Sequence, residues 1–199
     1  MAVRASMQTD LIPRVRTLIA DPAGATPQFS DQQIQDACDF RRAEARYTPL
    51  RPMPTYGPGP NSIVYLDYYS DAQNWESDVV LQDLSYNTLA PSLSEYIVGH
   101  WQFASQPTGI GVRATGKVHD LYSASADLLD VWAAAVKLDY NFSTDNQRFD
   151  RQGKYNQLTA LAKQYRALAQ PSVVRLVQAD AAADHQGTGI VYPLVQGGW

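Results

Sequence analysis

Three histidines, one cysteine and a set of carboxylates are the side chains of this 199-residue chain whose types suit chemistry. His100, His119 and His185 stand 19 and 66 residues apart. Neither a His-x-x-x-His pair nor a second thiolate accompanies them, so the spacing predicts no metal centre. His119-Asp120 reads as a helix start in which the aspartate caps and the histidine is a neighbour. Cys38 falls on the apolar face of a predicted helix, which makes it packing rather than a nucleophile, and a lone cysteine excludes an internal disulfide framework. There is no Gly-x-Ser-x-Gly elbow. The pairs Gly109-Ile110-Gly111 and Gly187-Thr188-Gly189 lack a third glycine, and Gly116-Lys117 and Gly153-Lys154 lack the hydroxyl residue that follows lysine in a phosphate-binding loop. Asn141-Phe142-Ser143 has the form of a glycosylation acceptor, with no secretory leader to give it meaning. The carboxylates Asp67, Asp71, Glu76, Asp78, Asp83 and Glu95 are numerous, but no spacing sets two of them as acid and base. The residues predict neither an active site nor a cofactor.

Charge and composition narrow the class. Net charge is −4, with +1 in residues 1–60, −4 in 61–118, zero in 119–170 and −1 in 171–199. An acidic chain lacks the electrostatic footprint of a general nucleic-acid binder. Hydrophobic residues make up 45% and charged residues 18%, which describes a globular chain. No apolar run reaches the length of a membrane span, and the polar start MAVRASMQTDLIPRVR predicts no leader segment. Residues 61–118 also hold eight of the 21 aromatics, a composition that suits both small sheets and contact surfaces.

The elements that must position these residues follow from periodicity. Leu11, Val15, Leu18 and Ile19 predict a helix from Thr9 to Ala20, with Pro13 in its first turn. Ser30 and Gln33 form a capping box, with Phe29 and Ile34 as a staple, and the helix they open is expected over 31–46. Five prolines between Pro49 and Pro60 predict a stiff extended connector. Strands are expected over 62–69, 79–84, 96–104 and 109–115. Two long helices follow, 120–138 and 147–169, stopped by Pro171. The predicted fold is α+β: a mainly α-helical bundle of about four helices, with a β-rich insertion and an extended C-terminal arm. Residues 1–60 and 119–170 would form one helical core, 61–118 the insertion and 171–199 the arm. An arm bearing Ile190, Val191, Tyr192, Leu194 and Trp199 is too apolar to stay solvated, so it is expected to dock.

Two blocks, LIPRVRTLIADPAGATPQFSDQQIQDACDFRR at 11–42 and VHDLYSASADLLDVWAAAVKLDYNFSTDNQRFDRQGKYNQLTALAKQYRALAQP at 118–171, carry a pattern of helices and caps. In it a short helix and an Asp loop lead through Phe-Ser-Asp into a second helix. An Ala-rich helix then ends in an aromatic-Ser-x-Asp turn before a polar, basic helix. This resembles the head–tail connector (adaptor) proteins of tailed bacteriophages. Asp145-Asn146 stands where Asp-Gly is usual, a tolerable change because asparagine accepts left-handed geometry. Residues 61–118 have no counterpart in the pattern.

The resemblance implies a structural virion protein rather than an enzyme. It would be made in the host cytoplasm and reside at the neck, as a homo-oligomeric and dodecameric ring between the portal protein and the tail or stopper protein. DNA would pass through without specific binding and no membrane would be involved. Asp67, Asp71, Glu76, Asp78, Asp83 and Glu95 would then line the channel or a lateral face, and the arm's Ile190, Val191, Tyr192, Leu194 and Trp199 would dock on the portal or a neighbouring subunit. Two other readings stand beside it. One is a tail-completion or tail-terminator ring, whose frame would be sheet. The other is a small carbohydrate-binding module or hydrolase, whose platform would need coplanar exposed aromatics.

Overall fold

The computed structural model describes residues 2–24, 26–57, 62–107, 111–138, 143–144, 147–148 and 151–169. One helical turn, α1 (Ala5–Gln8), precedes α2 (Leu11–Ile19), which buries Leu11, Ile12, Val15 and Ile19. Pro13 lies in the first turn of α2, where its missing N–H has no intrahelical partner to lose. Ala20 ends the helix in the left-handed region at φ 54°. The next helix, α3 (Asp31–Phe40), starts as its capping box requires. Gln33 N–H donates to Ser30 Oγ at 3.3 Å and Ser30 N–H donates to Gln33 Oε1 at 2.8 Å. Phe29 and Ile34 both enter the helical core.

The helix expected to reach residue 46 stops at Phe40, and the chain becomes β1 (Arg42–Pro49). Arg42, Glu44 and Arg46 are exposed while Ala43 and Ala45 are half-buried, so the segment has period two. The predicted stiff connector is also replaced by structure: β2 (Arg51–Tyr56) holds Pro52 and Pro54. Both β1 and β2 are edge strands, where a missing N–H need not break a ladder.

The strands continue as β3 (Ile63–Tyr69), β4 (Val80–Asp83), β5 (Thr88–Leu89), β6 (Leu93–Glu95), β7 (His100–Gln102) and β8 (Val112–His119). The strand expected over 96–104 is shorter than its composition suggested. Residues 96–99 are a turn closed by Gly99 at φ +75°, where a Cβ would stand 2.5 Å from the Ala72 carbonyl oxygen. Then come α4 (Leu121–Leu138), the two-residue pair β9 (Ser143–Thr144) and β10 (Gln147–Arg148), and α5 (Arg151–Leu168).

One sheet has the order β1-β8-β4-β5 and the other β2-β3-β7-β6, and all the pairings are antiparallel. Their inner faces share a core of Leu81, Val112 and Ala114 from the first sheet and Tyr68 and Trp101 from the second, filled out by Leu50, Trp75 and Phe103. The rings of Trp75 and Trp101 meet edge to face at 5.6 Å, and those of Tyr68 and Phe103 at 5.4 Å. Leu50 is where the chain crosses from one sheet to the other, its N–H donating to the Val112 carbonyl at 2.9 Å.

The helices keep a separate core. Leu121, Ala124, Leu128 and Leu129 of α4 pack with Leu11, Val15, Ile34 and Cys38, and Leu158 and Ala162 of α5 close over them. Tyr165 donates its hydroxyl to the Leu18 carbonyl at 2.8 Å. On α4, Val131 is exposed, while Leu129, Ala133 and Val136 take buried positions.

This layout corrects the expected mainly helical bundle. Two four-stranded antiparallel sheets with their own core stand beside five helices among the described residues. The physical reason lies at 42–56, where pairing with β8 and β3 satisfies the backbone of a segment that local signals assign to helix end and linker.

Candidate functional site

The six carboxylates singled out by charge do not form one wall. Glu76 is fully buried between α1, α3 and β8. Arg4 Nε donates to Glu76 Oε1 at 2.7 Å, Ser6 Oγ donates to the same oxygen at 3.1 Å, and Lys117 Nζ lies 3.1 Å from Oε2. Arg4 also forks onto Asp39, at 2.7 and 2.6 Å. Burial pushes the Glu76 carboxyl up, but the hydrogen bonds and charges of Arg4 and Lys117 outweigh it and hold the group below its ordinary value. Asp39 is likewise held low, chiefly by its hydrogen bonds from Arg4. Lys117 reaches Asp78 Oδ2 at 3.1 Å.

His119 completes this knot. Its Nδ1 lies 3.1 Å from the Cys38 carbonyl oxygen, which only accepts, so Nδ1 carries the proton. Its Nε2 faces Glu76 Oε2 at 3.8 Å. Desolvation lowers the His119 pKa, against the opposing pull of the Cys38 carbonyl, Glu76 and Asp39, while Arg4 adds to the lowering. Burial pushes the Cys38 thiol up to about 12, so it is not a thiolate at neutral pH.

The sign of the pH dependence follows. The folded chain holds the His119 pKa below its ordinary value, so as pH falls through about 6.5 the unfolded chain takes up the proton first. Stability is therefore present above that value and declines below it, with further loss through the carboxylate range as Glu76 and Asp39 protonate. Urea midpoints measured from pH 8 to pH 5 should fall. His119→Asn, which keeps a donor for the Cys38 carbonyl, should flatten the slope; an unchanged slope in that variant would remove His119 as its source.

The other carboxylates have local partners. Asp83 is buried and organises the turn after β4. Its Oδ1 accepts from the Ser85 and Asn87 N–H groups at 2.8 and 2.9 Å, and its Oδ2 accepts from Asn87 Nδ2 at 2.9 Å. These bonds, the Asn87 side chain first, lower its pKa. Asp71 pairs with Arg51. Asp67 and Glu95 flank His100, with Asp67 Oδ1 3.0 Å from Nε2 and Glu95 Oε2 3.0 Å from Nδ1. Tyr69 stacks on the same imidazole at 4.4 Å. By strand alternation Asp67, Tyr69, Glu95 and His100 share the outer face of the second sheet, opposite the inward Tyr68 and Trp101.

Spacing alone hid the importance of Arg4, His100 and His119, because their partners lie up to 81 residues away in sequence. Asp120 caps α4 as expected, accepting from Ser123 N–H at 3.1 Å. Gly116-Lys117 lies in β8 and Gly153-Lys154 in α5, so neither is a phosphate loop. Among the described residues no group of three or more His, Cys, Asp or Glu is arranged to hold a metal ion, and no helix is long and apolar enough to cross a membrane. The docking set Ile190, Val191, Tyr192, Leu194 and Trp199, together with His185, lies outside the described residues. No family model, curated protein or solved structure matches the chain.

Proposed function

We propose that the chain is a structural ring protein of a tailed-phage neck, joining portal to tail or stopper and extending the DNA channel, without catalytic activity. One observation supports this above others. Blocks 11–42 and 118–171, which carry the connector-like pattern, are far apart in sequence, yet their helices α2, α3, α4 and α5 share one apolar core. A pattern of caps and stripes that recurs by chance has no reason to close on itself.

The two sheets favour a second reading, a tail-completion or tail-terminator ring, whose frame would be sheet-rich. A glycan platform is disfavoured by geometry: the exposed rings of Tyr47 and Tyr86 stand at 90° rather than coplanar.

Mass photometry and negative-stain microscopy of the purified full chain test the ring. Closed particles with a central hole are expected. Mixing those particles with isolated portal-bearing heads or with isolated tails separates the two readings, since a connector joins the heads and a terminator joins the tails. Saturable glycan binding by a monomer that never forms rings would overturn both.

A further inference from the structure

The sandwich has two outer faces pointing in opposite directions, and their chemistry differs. On the outside of the first sheet, Arg113 lies opposite Gln82 and extends over Tyr86, 5.9 Å from the ring centroid. Tyr86 meets Tyr47 edge to face at 5.6 Å. Both tyrosines are about half exposed, and both hold positive φ, 50° at Tyr47 and 66° at Tyr86. That conformation is costly for a bulky residue and persists only where the surroundings impose it. Here they do. The β1 bulge places the Tyr47 N–H on Thr115 Oγ1 at 3.0 Å, and the Asp83 turn fixes residues 85–87. Arg113 has no ion-pair partner among the described residues; Glu44, farther along the same sheet opposite Lys117, is engaged by Arg46. The outside of the second sheet presents Asp67, Glu95 and Tyr69; among the described residues the two carboxylates meet only His100 and Gln102, and Arg51, opposite Tyr69 on the same face, is held by Asp71. One face offers a guanidinium over Tyr86 with no ion-pair partner among the described residues, and the opposite face offers Asp67 and Glu95, which Arg51 does not pair.

We infer that these two faces bind each other between copies of this chain, Tyr47, Tyr86 and Arg113 of one subunit against Asp67, Tyr69 and Glu95 of the next. Exposed tyrosine and arginine are the residue types that dominate contact cores, and the charges are complementary. Because the faces are different and opposed, the contact is heterologous and repeats from subunit to subunit, closing into a ring where the rotation allows. The inference rests on the ring reading above and adds which surfaces carry it.

Charge exchange tests it. Arg113→Glu and Glu95→Arg should each weaken self-association by about tenfold or more, and the double variant should recover much of it. Added salt should weaken the wild type in the same direction. A direct readout uses the exposed outer-face positions Val80 and Leu93, which take no part in the proposed polar contact. Val80→Cys and Leu93→Cys chains, mixed and oxidised, should give a disulfide-linked pair containing one of each, with Cys38 silent because it is buried. Rings that form unaltered in both charge variants, with no Val80→Cys to Leu93→Cys link, would overturn this contact and leave the ring reading standing. A wild-type chain that stays monomeric at every concentration in low salt would overturn both.

Discussion

Trp101→Ala is expected to destabilise the protein by about 4 kcal/mol, within the range measured for removal of large buried aromatics. The indole is fully buried in the core between the sheets, edge-on to Trp75. Its Nε1 has no hydrogen-bond partner among the described residues, so the loss is one of packing and burial rather than of a polar contact. The sheets should loosen before the helices, because the helical core lies apart from it. Urea unfolding followed by near-ultraviolet and far-ultraviolet circular dichroism checks both points. A midpoint within experimental error of wild type would show that the two sheets do not depend on this core.

Glu76→Gln should cost about 3 kcal/mol, the low end of what breaking a buried ion pair costs, because Arg4 and Lys117 both remain partly solvated. The variant keeps the shape of the side chain but removes the buried charge that joins the two cations, leaving Arg4 on Asp39 and Lys117 on Asp78, so the N-terminal turn loses its ionic tie to the β8 sheet. Combining Glu76→Gln with Arg4→Met in a double-mutant cycle isolates the Arg4 coupling, and the double variant should be less destabilised than the sum of the single changes. Strict additivity would show that Glu76 is not coupled to Arg4.

These two residues also mark how far the sequence could be read. The helices at 11–19, 31–40, 121–138 and 151–168 were legible because apolar stripes, a Ser-Gln box and a capping aspartate are all local signals, set within one or two turns of chain. Strand β3 was legible for the same reason, from its β-branched and aromatic run. Residues 42–56 were not. Arg42 to Arg46 continues a good helix-forming stretch, and three prolines at 49, 52 and 54 read as linker. Only the arrival of β8 and β3 as partners makes edge strands of them.

The candidate site divides along the same line. Composition located the acidic excess in 61–118, since counting charges needs no fold. It could not say that Glu76 is buried with Arg4, that Asp83 is spent on its own turn, or that Asp67 and Glu95 flank His100 on an outward face. By itself the sequence determined the helical frame, its caps and the total charge, because these depend on neighbours a few residues apart. Tertiary structure alone decided the two sheets, the buried knot and the opposition of a tyrosine–arginine face to a carboxylate face. Each of these depends on contacts between groups far apart in sequence, up to 81 residues in the knot, and no local pattern encodes which distant partner will arrive.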